Sequence, residues 1–296
     1  MRRRANNIGA EIIMYVILTL TAFVTLFPFI NTLAVSLNKA YDTSRGGIYL
    51  YPRIFTMENY VIILQHPDLK QGFIVTIART IIGTVASLLF TGMLAYGLSK
   101  SNLKGKNIYM GLSILTMYFG GGLIPYYLLL RSMHLIDNFL VYIVPNLIGV
   151  FNMIIMRTYF KSLPEALEES AKIDGAGYFT IFFKIILPLS APILATIALF
   201  SGVFHWNSWF DANLFISKQS LKPLQMVLIK IINSTRIDTA LAEAGAGAQM
   251  LAAQKVVNIR SVTASTIMIT IIPIIIVYPF LQRFFVKGIM IGAIKG

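Results

Sequence analysis

The chain has 296 residues, 56% of them hydrophobic and only 12% charged, with a formal net charge of +13. Soluble domains carry roughly a quarter charged residues, so the deficit excludes an ordinary water-soluble fold and requires lipid over much of the surface. The basic excess does not point to nucleic acid, because Lys and Arg are not interleaved with aromatics outside the apolar segments. Cysteine is absent, which excludes disulfides, thiolate metal sites and cysteine nucleophiles.

A helix needs about 20 mainly apolar residues to cross the hydrocarbon. Met1-Arg2-Arg3-Arg4 before an apolar run has the outline of a signal peptide. The run extends from Ile12 to Leu37 without a small-x-small cleavage site, and reads as an uncleaved first span. Five more spans follow, at Gly72 to Leu98, Ile108 to Leu130, Phe139 to Phe160, Ile185 to Phe210 and Val262 to Val286. Uninterrupted runs favour helices over alternating barrel strands. The fold class is therefore an all-α polytopic membrane protein with six transmembrane helices, and residues 1–296 are expected to form one transmembrane domain. Prolines inside spans (Pro28, Pro125, Pro145, Pro192, Pro273 and Pro279) are tolerated in lipid as kinks.

Arg2, Arg3 and Arg4 before span one and Lys100, Lys104 and Lys106 between spans two and three set the orientation. Short basic flanks stay in the cytoplasm, so both termini are expected there. Asn38 to Gln71 then reads as an ordered outer loop, and Asp211 to Arg260 as a second outer segment whose Ala240 to Val257 stretch has helical potential. The outer side would carry twelve basic and seven acidic residues, a balance that suits an acidic oligosaccharide or an acidic receptor surface.

The segment between spans four and five, residues 161–184, is the most informative. Ser162 and Glu165 have capping-box spacing, with Pro164 in the first turn. Glu165, Glu168 and Glu169 suit the positive end of the helix dipole, and Glu168 and Lys172 have ion-pair spacing. Asp174-Gly175 stops the helix, with Gly175 suited to a left-handed cap. By spacing, this is a short capped helix on the cytoplasmic surface; steering the chain back into the membrane and docking a partner are both open to it.

Glu169-Ser170-Ala171, Asp174-Gly175-Ala176, Ile186-Leu187-Pro188 and Pro192 together resemble the EAA loop of bacterial ABC importer permeases, with Ser170 as a small-for-small departure. The run Gln282 to Gly288 and Gly292-Ala293-Ile294-Lys295-Gly296 resemble the tail of the carbohydrate-importing, maltose-type branch. Phe119 to Pro125 and Tyr278-Pro279-Phe280 are similar to its subgroup that imports complex oligosaccharides. The resemblance implies a type I importer permease in the bacterial cytoplasmic membrane. It implies a second homologous permease, two ATPase subunits, an extracytoplasmic solute-binding protein and a carbohydrate substrate as partners. Glu169, Ala171, Asp174 and Gly175 would couple to the ATPase, and Lys295 and Gly296 would reach into the ATPase dimer. The chain has no GxxxxGK[ST] phosphate loop. It is therefore expected to bind no cofactor and to be no enzyme, with ATP and Mg used by the ATPase partner.

Burying charge in lipid is expensive. Arg157 sits at a span end and can snorkel, while His205 lies within span five in Phe204-His205-Trp206-Asn207-Ser208-Trp209. That group could stack on sugar faces and bind hydroxyls, or Trp206 and Trp209 could form an interfacial belt with Asn207 facing the pathway. Asn146 and Asn152 are further pathway candidates, with helix–helix hydrogen bonding the competing role. His134 and His205 are far apart and lack metal-ligand spacing, so no metal is expected. A permease for another solute stays open from the EAA segment alone. An ion-coupled transporter would show related halves and intramembrane charges, and a membrane enzyme would show a nucleophile–base set or a zinc pair.

Overall fold

In the computed structural model, residues 2–244 and 258–293 are described. Among them the secondary structure is helical apart from one isolated bridge between Asn38 and Phe55. In chain order the helices are α1 (Arg2–Ser36), α2 (Ala40–Thr43), α3 (Glu58–Leu64), α4 (Leu69–Ser99), α5 (Lys106–Tyr118), α6 (Leu123–Ser132) and α7 (Val150–Lys161). They continue with α8 (Ala166–Ile173), α9 (Tyr178–Ile181), α10 (Leu187–Leu189), α11 (Ala191–Asn207), α12 (Phe210–Phe215), α13 (Leu224–Ala244) and α14 (Ile259–Ala293).

Among the described residues, three apolar segments are unbroken and long enough to cross a membrane, at Gly9–Ser36, Leu69–Ser99 and Ile259–Pro279. The other three expected spans are bent pairs rather than straight rods. Span three turns by 117° between α5 and α6. Its corner is Phe119 to Gly122, where Gly122 has φ +82°, a value that a Cβ would strain. Span four is two short 3₁₀ turns over Phe139–Asn146 followed by α7 at 48°. Span five bends by 86° at Ser190, between Tyr178–Leu189 and α11, with a π-helical turn at Phe182–Ile186 just before it. Pro192 fits the first turn of α11, where a missing N–H costs nothing.

Contacts group the chain into two units, Met1–Leu69 with Leu228–Pro273 and Lys70–Val227 with Ile274–Gly296. In the first, α1 exposes its apolar side chains, while the hydroxyls of Thr21, Thr25 and Thr32 donate to carbonyls one turn back. These bonds give the three hydroxyls partners within the helix. The loop after α1 is ordered, as expected. Asn38 donates to Asp42 at 3.0 Å and accepts from the Ile54 N–H, Arg53 bridges Asp42 and the Gly46 carbonyl, and Asn59 donates to the carbonyls of Ser36 and Asn38.

The second unit holds two packed regions. One gathers Tyr96, Met153, Met156, Phe160, Ala171, Phe182 and Ile186 around the end of α4. The other gathers Val75, Leu130, Tyr142, Ala212 and Phe215 around its start. Lipid supplies no hydrophobic force between helices, so fit decides such packing. Thr91 shows how the fit is made. Its hydroxyl donates to the Leu147 carbonyl at 3.1 Å and accepts from the Gly149 N–H at 3.2 Å, which satisfies the backbone at the break in span four.

Candidate functional site

The helix α8 is the expected capped segment, but its start differs from expectation. No capping box forms, because the Ser162 hydroxyl donates back to Tyr159 at the end of α7 and Glu165 makes no side-chain cap. Its end is as expected. Gly175 has φ +77°, its N–H bonds the Lys172 carbonyl and the Ala176 N–H bonds the Ala171 carbonyl. These two bonds are the paired closure of a Schellman motif, which needs a left-handed residue at this position.

Of the expected coupling residues, Glu169 and Asp174 are exposed, Ala171 is buried in the core and Gly175 stands at the sharp turn. Ile173 is 86% exposed and Leu167 41%, so α8 shows apolar as well as acidic side chains outward. Lys295 and Gly296 lie outside the described residues. The inward side is anchored differently from the expected Glu168–Lys172 pair. Glu168 bonds Lys100, just past the end of α4, through Oε1, and its Oε2 accepts from the Tyr96 hydroxyl at 3.4 Å. Lys100 Nζ also sits 3.9 Å over the Tyr96 ring, while Lys172 turns to the Tyr178 ring at 5.4 Å. A partner from another helix, half screened from solvent, outcompetes an exposed one on the same helix.

Sequence reasoning missed a second feature. Arg79, in the middle of the apolar α4, has a fully buried side chain. Its Nη2 is 2.5 Å from Asp211 Oδ2, its Nη1 donates to the Ser208 carbonyl at 3.1 Å and its guanidinium lies 4.1 Å over the Tyr142 ring. Tyr142 in turn donates to the Leu221 carbonyl at 2.8 Å. One cation therefore ties α4, the first 3₁₀ turn of span four and the start of α12. The signal was available, since an arginine inside an apolar helix must find a counter-charge, and Asp211 closes span five.

The expected pathway residues divide between span four and the end of span five. His205 is buried, with its ring against Gly83 of α4 and edge-on to Phe204. Asn146 donates to the Tyr142 carbonyl, and half-buried Asn152 rests against Gly149. Asn207 and Trp209 are exposed, Asn207 bonding the Val203 carbonyl and Trp209 edge-on to Phe210, while Trp206 is half-buried.

Comparison with known proteins places this geometry. The family described as binding-protein-dependent transport system inner membrane component matches residues 2–291. Protein LplC of Bacillus subtilis (strain 168) is 38% identical, over 92% of this chain and 90% of its own length. The polygalacturonan/rhamnogalacturonan transport system permease protein YtcP of the same organism is 35% identical, over 97% and 98%. Among solved structures, a chain of a bacterial ABC transporter involved in the import of the acidic polysaccharide alginate superposes with a TM-score of 0.81. It is 30% identical, over 95% of this chain and 98% of that one. The resemblance read from the motifs therefore holds along nearly the whole chain.

Proposed function

The chain belongs to the family of binding-protein-dependent transport system inner membrane components, and from that premise we propose that it is one permease subunit of an ABC importer that takes up an oligosaccharide containing uronic acids. The multi-pass membrane part supplies the passage, and separate ATPase subunits supply the work. Both termini face the cytoplasm in this reading, a second permease completes the pore and an extracytoplasmic binding protein delivers the sugar.

The observation that carries the coupling role is the two-sided character of α8. Its inner side is fixed to the membrane helices through Ala171 and Glu168, while Glu169, Leu167 and Ile173 are presented outward. A short helix that is closed at Gly175 and carries both acidic and apolar side chains on its outer side fits a cleft in an ATPase. Asp174 and Gly175 hold its end, and Lys295 and Gly296 reach the ATPase dimer. The substrate rests on the kinship with YtcP, named for polygalacturonan and rhamnogalacturonan transport, and with the importer of the acidic polysaccharide alginate. Asn207 and Trp209, exposed beside the end of α11, are the pathway residues of choice.

The test is reconstitution of the complex purified with its partner chains in liposomes. ATP-driven uptake of oligogalacturonate or oligoalginate above that of neutral oligosaccharides is expected. A strict preference for neutral sugars sinks the acidic substrate, and failure to copurify an ATPase sinks the permease role.

A further inference from the structure

We propose that Glu168, Lys100 and Tyr96 form the joint that passes the movement of α8 into α4, so that α4 is the rod transmitting ATPase closure across the membrane. This deepens the coupling role assigned to α8 and rests on it.

A short link joins α8 to α7 and Ala171 packs in the core, and two further routes lead from α8 to the membrane helices. The covalent one runs through α9, the π-helical turn and α10, and is turned by 86° at Ser190 before it reaches α11. A push along that route meets a π-turn and a sharp corner, which absorb displacement. The other route crosses space. Glu168 reaches Lys100 and Tyr96, one helical turn apart at the end of α4. Only 15% of the Glu168 side chain and 18% of that of Lys100 are exposed. The ion pair and the Tyr96 hydroxyl hold the two carboxylate oxygens, and the cation–π contact fixes Lys100 over the Tyr96 ring.

The far side of this joint is stiff. The helix α4 runs for 31 residues without a break, a length of about 46 Å at 1.5 Å per residue. The end that receives Glu168 is clamped further, since Arg157 Nε donates to the Leu98 carbonyl at 2.9 Å and Lys106 Nζ to the Lys100 carbonyl at 3.2 Å. Along the same rod, Thr91 holds the break in span four, Gly83 carries the His205 ring of α11 and Arg79 holds Asp211. Displacing α4 therefore acts on every bent segment that it grips. Glu168, Lys100 and Tyr96 are positioning residues in this scheme, because they act through α4 and touch no substrate.

The experiment uses the complete reconstituted importer, with its partner permease, ATPases and binding protein. It measures oligosaccharide taken up per ATP hydrolysed. Glu168→Gln and Lys100→Met should leave complex assembly and basal ATP hydrolysis intact while lowering uptake per ATP about tenfold, within the usual range of coupling effects. The exchanged pair, Glu168→Lys with Lys100→Glu, should recover most of that loss. Tyr96→Phe removes only the hydroxyl and should give a smaller decrease. Full uptake per ATP in both single variants overturns the joint, and so does an exchanged pair no better than the single variants. If the wild-type complex takes up no oligosaccharide, the functional reading falls and the joint falls with it. A competent wild type with unaffected variants overturns the joint alone.

Discussion

Arg79 Nη2 lies 2.5 Å from Asp211 Oδ2, and the guanidinium that makes this contact is wholly buried. A buried charge with a forked partner is held because the alternative is an uncompensated ion in a low-dielectric interior. Removing Asp211 alone leaves that ion in place. Asp211→Ala is therefore expected to cost about 3–5 kcal/mol, read as a lowered Tm of the purified protein in detergent. Replacing both partners together, Arg79→Met with Asp211→Leu, should recover much of the stability. A double variant as unstable as the single one would show that the Tyr142 and Ser208 contacts, not the ion pair, set the requirement.

Gly83 and His205 form a second interlock along α4. A Cβ on Gly83 would stand 2.5 Å from His205 Nε2, and the ring is too deeply buried to swing aside freely. Gly83→Ala is expected to destabilise by about 1–3 kcal/mol through overpacking. His205→Ala removes the obstructing ring, so the two changes together should cost less than their sum. Thermal melts of the four proteins in a double-mutant cycle would expose that coupling, and strict additivity would refute the contact.

What the sequence revealed was local or statistical, and what it concealed was tertiary. The membrane class follows from composition, and Gly175 follows from a turn that only a left-handed residue can close. The corner at Gly120–Gly122 was visible as three glycines, yet its angle depends on packing that no short window contains. Glu168 had a plausible partner four residues away, and lost it to Lys100, which is distant in sequence. The Ser162–Glu165 pattern failed for a related reason, since α7 claims the Ser162 hydroxyl for its own last turn. Arg79 stands inside an apolar helix, a place that demands an acid nearby, but Asp211 is distant in sequence.

The loop after α1 carries a pH dependence of definite sign. The Asn38 side-chain hydrogen bond holds the Asp42 carboxyl below its ordinary value, against the opposing effect of burial, and Arg53 adds to it. The resulting stabilisation is fully present above the unfolded carboxylate value of about 3.9 and is lost as pH falls through the lower folded value. Hydrogen exchange across residues 38–59 should stay protected from pH 7 down to roughly pH 4 and rise below that. Asp42→Asn should raise exchange at neutral pH and flatten the acid response. An acid response of wild-type size in that variant would assign the effect to another group.

Gly175 gives the sharpest test of α8, because a Cβ there would meet nothing within 4 Å. Any penalty must come from the backbone, whose φ of +77° costs an ordinary residue about 1–2 kcal/mol. Asn tolerates the left-handed region better than other residues, so the expected order of damage is Val worst, Ala intermediate and Asn least. Loss of the turn releases the Ala176 and Gly175 N–H bonds to Ala171 and Lys172, and α8 then frays from the end that carries Ile173. Membrane insertion and Tm should change little, since α8 is small and largely exposed. ATPase stimulation by the loaded binding protein should fall in the same order as the strain. Equal stimulation in the Val and Asn variants would mean that the partner recognises the side chains of α8 without needing its closed end.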